Sequence, residues 1–384
     1  MKSLLQHINE SDLSIESFLK DNNIAVDDAI KILTKYAKKE NIKLEELEDF
    51  FDLHGISQLN WGRRNTAVKQ FINLFNEDDN LDVLLEVVKN DGIISVDDLN
   101  ESGNIFDLCK INNKDFIEEA KVISTWVNQT SSASGPGEIL LKFILKEAGI
   151  KQGCDVFIRP NKTMEVKSCT ISEGKNGSGG HPAGQKGFDD SKIRGSWAIY
   201  KYLNEHLFNI KGDNENSEAD NSFYFQNNAG FEQFIMLVRD YNLENTTDDR
   251  EFFIKTIVDA ICFQYNFISN KPNAKNKLTN IDELYDASIK YYNNILRDDF
   301  SFDNMKNLIG CIQLYLYSSI EKFDYLFFFK VDKFGDSENS GDYVLFKDCS
   351  TSLLKFENII EYIYFGTLDN PTSTQGRSGK MFLR

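Results

Sequence analysis

The sequence has few of the residues that build zinc ribbons, redox motifs or disulfide frameworks. Six cysteines are spread along 384 residues, and no two of them form a Cys-x-x-Cys pair, so the sequence does not support a zinc ribbon or a thioredoxin-like motif. Only four histidines occur, and none has partners at the spacing of a zinc site. We therefore expect any bound metal to be a hard cation held by oxygen ligands.

Long apolar runs are missing as well. Runs such as FIMLV (234–238) and YLFFF (325–329) fall far short of the roughly 18 apolar residues of a membrane span. The first residues turn polar within a few positions and lack the basic-then-apolar pattern of a secretory signal. With cysteines scattered through a long chain, these features predict a cytoplasmic protein that has no membrane partner.

Positive charge is scarce, because 43 Lys and Arg residues stand against 60 Asp and Glu residues and give a net charge of −17. This balance argues against broad, nonspecific binding of nucleic acid. The segment 131–200 differs, since it contains ten basic and seven acidic residues and is net +3. The candidate metal-binding acids described below lie in this locally basic segment.

Residues 1–128 repeat a pattern in which acids open an apolar-periodic run, as in LSIESFL and IAVDDAI. Acids in a first helical turn interact favourably with the helix dipole, so we predict an all-helical interaction domain there. A calcium loop at KNDGIISVDD is rejected, because its first and third positions would be Val87 and Lys89, which cannot ligate calcium. Residues 129–384 are expected to form a second domain with a helical insertion at about 210–320.

The segment GCDVFIRPNKTMEVKSCT (153–170) places charged residues on two expected strands. Asp155 begins an apolar run, the turn RPNK follows, and Glu165 and Lys167 alternate with apolar residues in the second run. Side chains at i and i+2 share a face of a strand. We therefore expect Glu165 and Lys167 to point the same way, with Asp155 within reach on the partner strand. A solvated hairpin face with an ordinary Glu–Lys pair explains the same pattern.

Further elements surround this expected hairpin. Glu138 opens the apolar-periodic segment EILLKFILKEAGI, which predicts a helix that continues through Ala148 and ends near Gly149. FDYLFFFKVD and DYVLFKD predict two later strands that widen the sheet, and FENIIEYIYF predicts a C-terminal helix before a polar, basic tail. The pattern as a whole predicts a mixed sheet flanked by helices.

The motifs GPGE (135–138), CDVFI (154–158) and EVK (165–167) together resemble the PD-(D/E)xK nuclease superfamily, the fold of many restriction endonucleases and phage or repair nucleases. The resemblance implies an α/β (α+β) fold with a restriction-endonuclease-like mixed sheet. In that family a helix-borne Glu, a strand-start Asp and the Glu of E-x-K bind one or two Mg²⁺ ions, for which Mn²⁺ can substitute. The Lys helps to position and activate the attacking water.

Carried over to this sequence, the metal-binding roles fall on Glu138, Asp155 and Glu165, and the water-activating role falls on Lys167. The resemblance implies that these four residues form the catalytic site and that DNA is the substrate. One departure is that the strand-start acid follows Cys154, where the family pattern has proline. The long insertion before the next strand is a second departure.

Some branches of the family add a Gln or a Tyr on the helix after E-x-K. Here Gln185 lies in a Gly-rich loop and Tyr200 is only loosely placed on the helix that the segment 191–208 predicts. Lys192 and Arg194 open that helix and are candidates for contacts with a phosphate. A solvated helix start explains both of these cations equally.

Two functions fit these observations. The first is a Mg²⁺-dependent DNA nuclease, a phage-encoded member of the family in one version, whose residues 1–128 recruit DNA or a protein partner. The second is a structural protein of a phage virion or its assembly that keeps a nuclease-like scaffold, which the negative charge and the large flanking regions favour. The expected location is the host cytoplasm, or the virion for a phage protein. A regulatory DNA-binding protein has no basic helix or recognition motif in its favour.

Overall fold

The computed structural model describes residues 44–56, 64–77, 80–126, 137–151, 153–170, 181–182, 247–264, 278, 280–299, 301–331, 340–368 and 379–384. These residues fall into two compact units, and the chain passes from the first to the second between residues 161 and 162. Residues 101–103 are an exception and belong to the second unit. They include most of strand β1 (Ser102–Asn104). The boundary predicted at residue 128 lies outside the described ranges. None of the described helices has both the length and the apolar composition that a membrane crossing requires.

The first unit is built from short helices and two pairs of short strands. Its helices are α1 (Leu44–Leu53), α2 (Arg64–Glu77), α3 (Leu81–Lys89), α4 (Ile117–Thr125) and α5 (Glu138–Ile144). Its strands are β2 (Lys110–Ile111), β3 (Lys114–Asp115), β4 (Ala148–Gly149) and β5 (Val156–Ile158). β2 pairs with β3, and β4 pairs with β5, both in the antiparallel sense.

The predicted all-helical character of residues 1–128 does not hold for the β2–β3 hairpin. The two residues of its turn, Asn112 and Asn113, both have positive φ, at 51° and 62°. A two-residue hairpin turn of this kind needs positive φ at both positions, and Asn tolerates that conformation better than most residues. Residues 1–43 of the predicted helical domain lie outside the described ranges.

An aromatic cluster forms the core of the first unit. Phe143 of α5 lies at its centre, with ring centroids 4.8–6.1 Å from those of Phe50, Phe71, Phe75 and Phe116. All five rings are at most 4% exposed. The burial of so much aromatic surface fixes α5 in the unit, and it thereby fixes the position of Glu138, the first residue of this helix.

The helix that begins at Glu138 is shorter than predicted, because it ends at Ile144 and Ala148–Gly149 form strand β4. A tertiary contact ends it: the main-chain N–H groups of Ile93 and Ile94 donate to the carbonyl oxygen of Ile144 at 2.7 and 3.1 Å. Gly92 permits this approach, since it has a φ of 106° and a Cβ there would lie 2.8 Å from the main-chain nitrogen of residue 146.

The second unit contains the longer helices and most of the strands. Its helices are α6 (Thr247–Gln264), α7 (Ile281–Tyr291), α8 (Phe302–Glu321), α9 (Cys349–Ser352) and α10 (Phe356–Tyr362), and a π-helical turn (Tyr292–Leu296) follows α7. Its strands, besides β1, are β6 (Lys162–Thr170), β7 (His181–Pro182), β8 (Tyr325–Val331), β9 (Asp342–Lys347), β10 (Ile363–Leu368) and β11 (Gly379–Leu383). The helical character predicted for residues 210–320 is confirmed for α6, α7 and α8.

Two sheets organise this unit. In the first, the strands lie in the order β1-β9-β8-β6, with β6 parallel to β8 and β8 antiparallel to β9. This is a mixed sheet flanked by helices, as predicted, and the two later strands, β8 and β9, lie where the sequence placed them. The chain from β6 to parallel β8 includes α8, which is the kind of helical crossover that a parallel pair requires. The second sheet has the order β10-β11-β7 and is antiparallel.

The end of the chain is not the polar tail that was predicted. Gly379–Leu383 form strand β11, in which Met381 and Leu383 are 0% and 9% exposed. The helix predicted at FENIIEYIYF is present as α10, but it ends at Tyr362 and the chain continues as β10. Burial alternates along both strands, as a strand with one face on the core requires, and their pairing supplies the backbone partners that an isolated tail would lack.

α8 packs very closely against β10. A Cβ atom added at Gly310 would lie 2.2 Å from Cδ1 of Phe365, whose residue is only 2% exposed. The absence of a side chain at residue 310 therefore sets the distance between this helix and this strand.

We expect Gly310→Ala to lower the free energy of unfolding by about 1–3 kcal/mol through overpacking, even though alanine favours a helix over glycine by about 1 kcal/mol. Denaturant unfolding measures the change. Phe365→Leu introduced in the same chain should recover part of the loss, with Phe365→Leu alone as the control. A Gly310→Ala protein as stable as the wild type would contradict the close approach.

A buried histidine lies at the end of α1 and contacts a partly exposed ion pair. His54 is fully buried; its Nδ1 lies 2.7 Å from the main-chain oxygen of Lys142 and its Nε2 lies 2.9 Å from Oδ1 of Asp91. The imidazole ring stacks on Phe50 with centroids 4.0 Å apart, and Arg159 donates to the other oxygen of Asp91 at 3.1 Å. Burial lowers the pKa of His54 below its usual value, against the opposing effect of these hydrogen bonds.

This network predicts a pH dependence of stability. The unfolded chain protonates His54 near pH 6.5, whereas the folded chain does so only at lower pH, so the unfolded state binds the extra proton first as pH falls. The free energy of unfolding should therefore decrease as pH drops below about 6.5. Urea unfolding between pH 7.5 and 5 tests this, and His54→Gln should show a shallower decrease than the wild type. Parallel curves for the two proteins would rule the effect out.

Candidate active site

Glu165 and Lys167 lie on β6 and form an ion pair. The Nζ atom of Lys167 is 2.5 Å from Oε1 of Glu165, and the two side chains are 13% and 11% exposed, respectively. Met164 and Val166, the alternate residues of the strand, are 0% and 3% exposed. The period of two in this strand thus places both charged groups on one face, as the sequence predicted.

A third residue, Tyr317 of α8, completes this group. Its hydroxyl donates a hydrogen bond to Oε1 of Glu165, the oxygen that also faces Lys167. The ammonium group of Lys167 lies 6.0 Å from the centroid of the Tyr317 ring, which is within reach of a cation–π interaction. Tyr317 itself is only 5% exposed. The Glu165 carboxylate is therefore held by one donor from its own strand and one from the crossover helix.

Hydrogen bonds at the start of β6 keep this helix and strand in register. The main-chain N–H of Thr163 donates to the carboxylate of Asp324 at 2.8 Å, and the main-chain N–H of Asp324 donates to the carbonyl oxygen of Thr163 at 2.9 Å. The Thr163 hydroxyl donates to the carbonyl oxygen of Lys322 at 3.1 Å, just beyond the end of α8. These bonds connect the segment between α8 and β8 to β6, the strand that bears Glu165. They thereby fix the position of Tyr317 along β6.

Neither Tyr317 nor Gln313 on the same helix was predicted from the sequence. The candidates there for a Gln or Tyr on a helix soon after E-x-K were Gln185 and Tyr200, which both lie outside the described residues. Gln313, four residues before Tyr317 on α8, is 1% exposed, and residues at this spacing share one face of a helix. A Gln within the apolar stretch LIGCIQLYLY (308–317) is the sequence signal that could have revealed this position.

Glu138 and Lys142 form a second buried ion pair, in the first unit. Glu138 is the first residue of α5, directly after Gly137, whose φ of 82° is left-handed. Lys142 donates to Oε1 of Glu138 at 2.7 Å, and the two side chains are 8% and 5% exposed, respectively. Two desolvated charges at i and i+4 compensate one another. The lysine partner of Glu138 was not predicted from the sequence, and the metal-binding role of Glu138 stays a prediction.

Asp155 directly precedes β5 and is partly exposed. Several charges act on the thiol of its neighbour Cys154. Burial raises the pKa of this thiol, and the charges of Asp155 and Glu138 raise it further. Lys142 and Lys151 lower it. The two predicted acids of the first unit thus lie within electrostatic range of one thiol. No disulfide involves Cys154 or any other cysteine of the chain.

The four predicted catalytic residues are divided in pairs between the two units, with Glu138 and Asp155 in the first and Glu165 and Lys167 in the second. Over the described ranges, no three Asp, Glu, His or Cys side chains form a group with the arrangement of a metal site. The convergence of Asp155 and Glu165 on one cation stays a prediction. The candidate phosphate ligands Lys192 and Arg194 lie outside the described residues.

Comparison of the chain with protein-family models, with curated proteins and with solved structures finds no match. The resemblance to the PD-(D/E)xK superfamily consequently depends on the three sequence motifs, and it stays a prediction.

The hydroxyl of Tyr317 provides a direct test of this geometry. Hydrogen bonds to charged groups contribute about 1.5–3 kcal/mol, so Tyr317→Phe should lower the free energy of unfolding by an amount in this range. Tyr315→Phe on the same helix is the matched control and should cost less, because the hydrogen-bond partner of its side chain is the uncharged Ser319, while Glu283 acts on it only through its charge.

A double-mutant cycle separates the specific contact from general packing. In a Glu165→Gln background the loss caused by Tyr317→Phe should shrink, because the charged acceptor is gone. Denaturant unfolding of the four proteins measures the coupling. Strictly additive effects would mean that Tyr317 does not hold the Glu165 carboxylate.

Proposed function

We propose that this chain is a Mg²⁺-dependent DNA nuclease that hydrolyses phosphodiester bonds with Glu138, Asp155 and Glu165 as metal ligands and Lys167 as the residue that positions the attacking water. The observation that supports it most is the group on β6, where Glu165 pairs with Lys167 on one strand face and accepts a hydrogen bond from the hydroxyl of Tyr317 on the crossover helix. A solvated hairpin face would not explain a Glu and a Lys that are both nearly nine-tenths buried.

The donor set suits a hard divalent cation. The three carboxylates supply oxygen ligands, which Mg²⁺ and Mn²⁺ prefer, and none of the three proposed ligands is a thiol or an imidazole. When bound, Mg²⁺ lowers the pKa of a coordinated water and offsets the charge that builds on the phosphate oxygens. Glu165 and Lys167 are already oriented for such a role, since packing and hydrogen bonds fix their positions before any ligand arrives.

Lys167 has two tasks in this scheme. Its ammonium group is a compact point charge on a flexible stem, so it can donate to the attacking water and to a phosphate oxygen while it remains close to Glu165. Tyr317 acts as a positioning residue, because its hydroxyl holds one oxygen of Glu165 and its ring lies beside the ammonium group. The chain thus orients the nucleophile and the carboxylate with residues of two elements.

DNA is the proposed partner, with residues 1–128 recruiting DNA or another protein. A structural role in a phage virion or its assembly is the second candidate. A net charge of −17 favours that alternative, because it repels a polyanion from most of the surface. The host cytoplasm is the proposed location for the nuclease, and the virion for the structural protein.

The nuclease proposal predicts DNA cleavage that depends on both the metal and Lys167. Purified protein should degrade plasmid or linear DNA with Mg²⁺ or Mn²⁺ and not with EDTA. Lys167→Ala should slow cleavage by about 100-fold or more, as expected for loss of a charged donor that contacts the attacking water and a phosphate oxygen. Asp155→Asn should abolish cleavage while the protein stays folded.

Lys162→Ala is the matched control. Lys162 lies on the same strand, but it pairs with Asp348 at 3.3 Å through side chains that are 42% and 70% exposed, so its removal should leave cleavage unchanged. Equal rates for the wild type and Lys167→Ala would overturn the proposal. A folded wild-type protein that cleaves no DNA with either metal would do the same, and the structural role would then be favoured.

A further inference from the structure

The outward face of the β10–β11 hairpin presents two stacked aromatic rings. Tyr364 and Phe382 are direct partners in the antiparallel register, and their ring centroids are 4.9 Å apart with planes inclined by 10°. Tyr364 is 40% exposed, whereas the alternate residues Ile363 and Phe365 are at most 2% exposed. The core is therefore on the other face of the hairpin, and the aromatic pair faces away from it.

A cation adjoins this pair. The guanidinium carbon of Arg384 lies 5.7 Å from the centroid of the Tyr364 ring, so Tyr364 contacts both a cation and a second ring. The Nε atom of Arg384 donates to the carbonyl oxygen of Ile360 at 2.7 Å, and Lys330 donates to a main-chain oxygen of Arg384 at 3.0 Å. These bonds hold Arg384 at the hairpin. We call Tyr364, Phe382 and Arg384 the aromatic-cation face.

The charge of this part of the chain contrasts with the whole. From residue 371 to the end the sequence contains Arg377, Lys380 and Arg384 and no acid, in a chain of net charge −17. Acids do occur beside the face: Asp342 and Glu361 line, together with Arg384, an adjacent cavity of about 310 Å³. These two carboxylates repel phosphates, so a polyanion can contact this part of the surface with only a few of its phosphates.

The aromatic-cation face is also near the end of β6. The thiol of Cys169 interacts with the backbone of Leu383, which neighbours Phe382, and Tyr364 lies within electrostatic range of the same thiol. Cys169 follows Lys167 by two residues on β6, a distance of about 7 Å along a strand. The hairpin that bears the aromatic-cation face thus packs beside the strand that bears Lys167.

We propose that the aromatic-cation face binds unpaired nucleotides of single-stranded DNA, with a base added to the stack of Tyr364 and Phe382 and a phosphate beside Arg384. This inference rests on the proposed nuclease function and names its substrate class. Stacking on aromatic side chains is the interaction by which proteins hold single strands without reading sequence, because every base has a π-face. Bases in a duplex are already stacked and paired, so the face favours single-stranded DNA or frayed ends.

Binding is measured with the full chain and a fluorescent dT oligonucleotide in EDTA, so that no cleavage occurs. Tyr364→Leu should weaken binding by about 5- to 150-fold, the equivalent of about 1–3 kcal/mol of stacking per base. Phe252→Leu is the control, since Phe252 is an aromatic residue that is 57% exposed on α6 and should not affect binding. An abasic oligonucleotide of equal length and charge should bind wild type and Tyr364→Leu equally.

Equal affinity of the wild type and a folded Tyr364→Leu protein for the dT oligonucleotide would overturn the proposal. The proposal would also be overturned if the wild type bound duplex DNA or the abasic oligonucleotide more tightly than the dT oligonucleotide, because charge alone would then explain the binding. Should Tyr364→Leu fail to fold, Arg384→Gln keeps both rings and should reduce the salt dependence of binding by about one phosphate contact; an unchanged salt slope would then overturn it. Failure of the nuclease proposal is recognised separately, by the effect of Lys167→Ala on cleavage with metal present.

Discussion

The hydrogen bond and ion pair that hold the Glu165 carboxylate are the interactions on which the rest of the second unit depends. A carboxylate this deeply buried is costly unless it is paired and hydrogen-bonded. Lys167 supplies the charge from the same strand, and Tyr317 supplies the hydroxyl from α8. Tyr317 reaches Glu165 only if α8 packs on β6 and the chain returns as parallel β8. The sheet and the crossover helix must therefore form for the carboxylate to be stable.

The first unit also contains a buried carboxylate that must be paired. Glu138 is as deeply buried as Glu165, and its lysine partner, Lys142, comes from the next helical turn. The Phe143 ring, next to Lys142, lies in the aromatic cluster, so the pair cannot move apart without opening the core. In both units a buried acid is thus accompanied by a lysine at the spacing that its secondary structure dictates, i+2 on a strand and i+4 on a helix.

Local patterns were sufficient to predict these acids and the strands around them. The period of two placed Glu165 and Lys167 on one face, and the apolar runs at β8 and β9 predicted both strands. The partner of Glu165 was beyond such reasoning, because Tyr317 is 152 residues away in sequence and nothing local shows that α8 returns to β6. The end of α5 was missed for the same reason. The strand-like contact between Leu145 and Ile94, 51 residues earlier in sequence, stops that helix, and no local signal marks it.

The net charge of −17 limits how the DNA nuclease that we propose could hold its substrate. A chain that repels a polyanion over most of its surface cannot gain affinity by neutralising many phosphates, which is the usual source of nonspecific binding. Its affinity must then come from interactions that charge does not weaken, and stacking of unpaired bases on exposed rings is such an interaction. The same repulsion works against duplex DNA, whose bases cannot stack in this way. An acidic nuclease with one small aromatic and cationic face would therefore select its substrate by the availability of unpaired bases more than by charge.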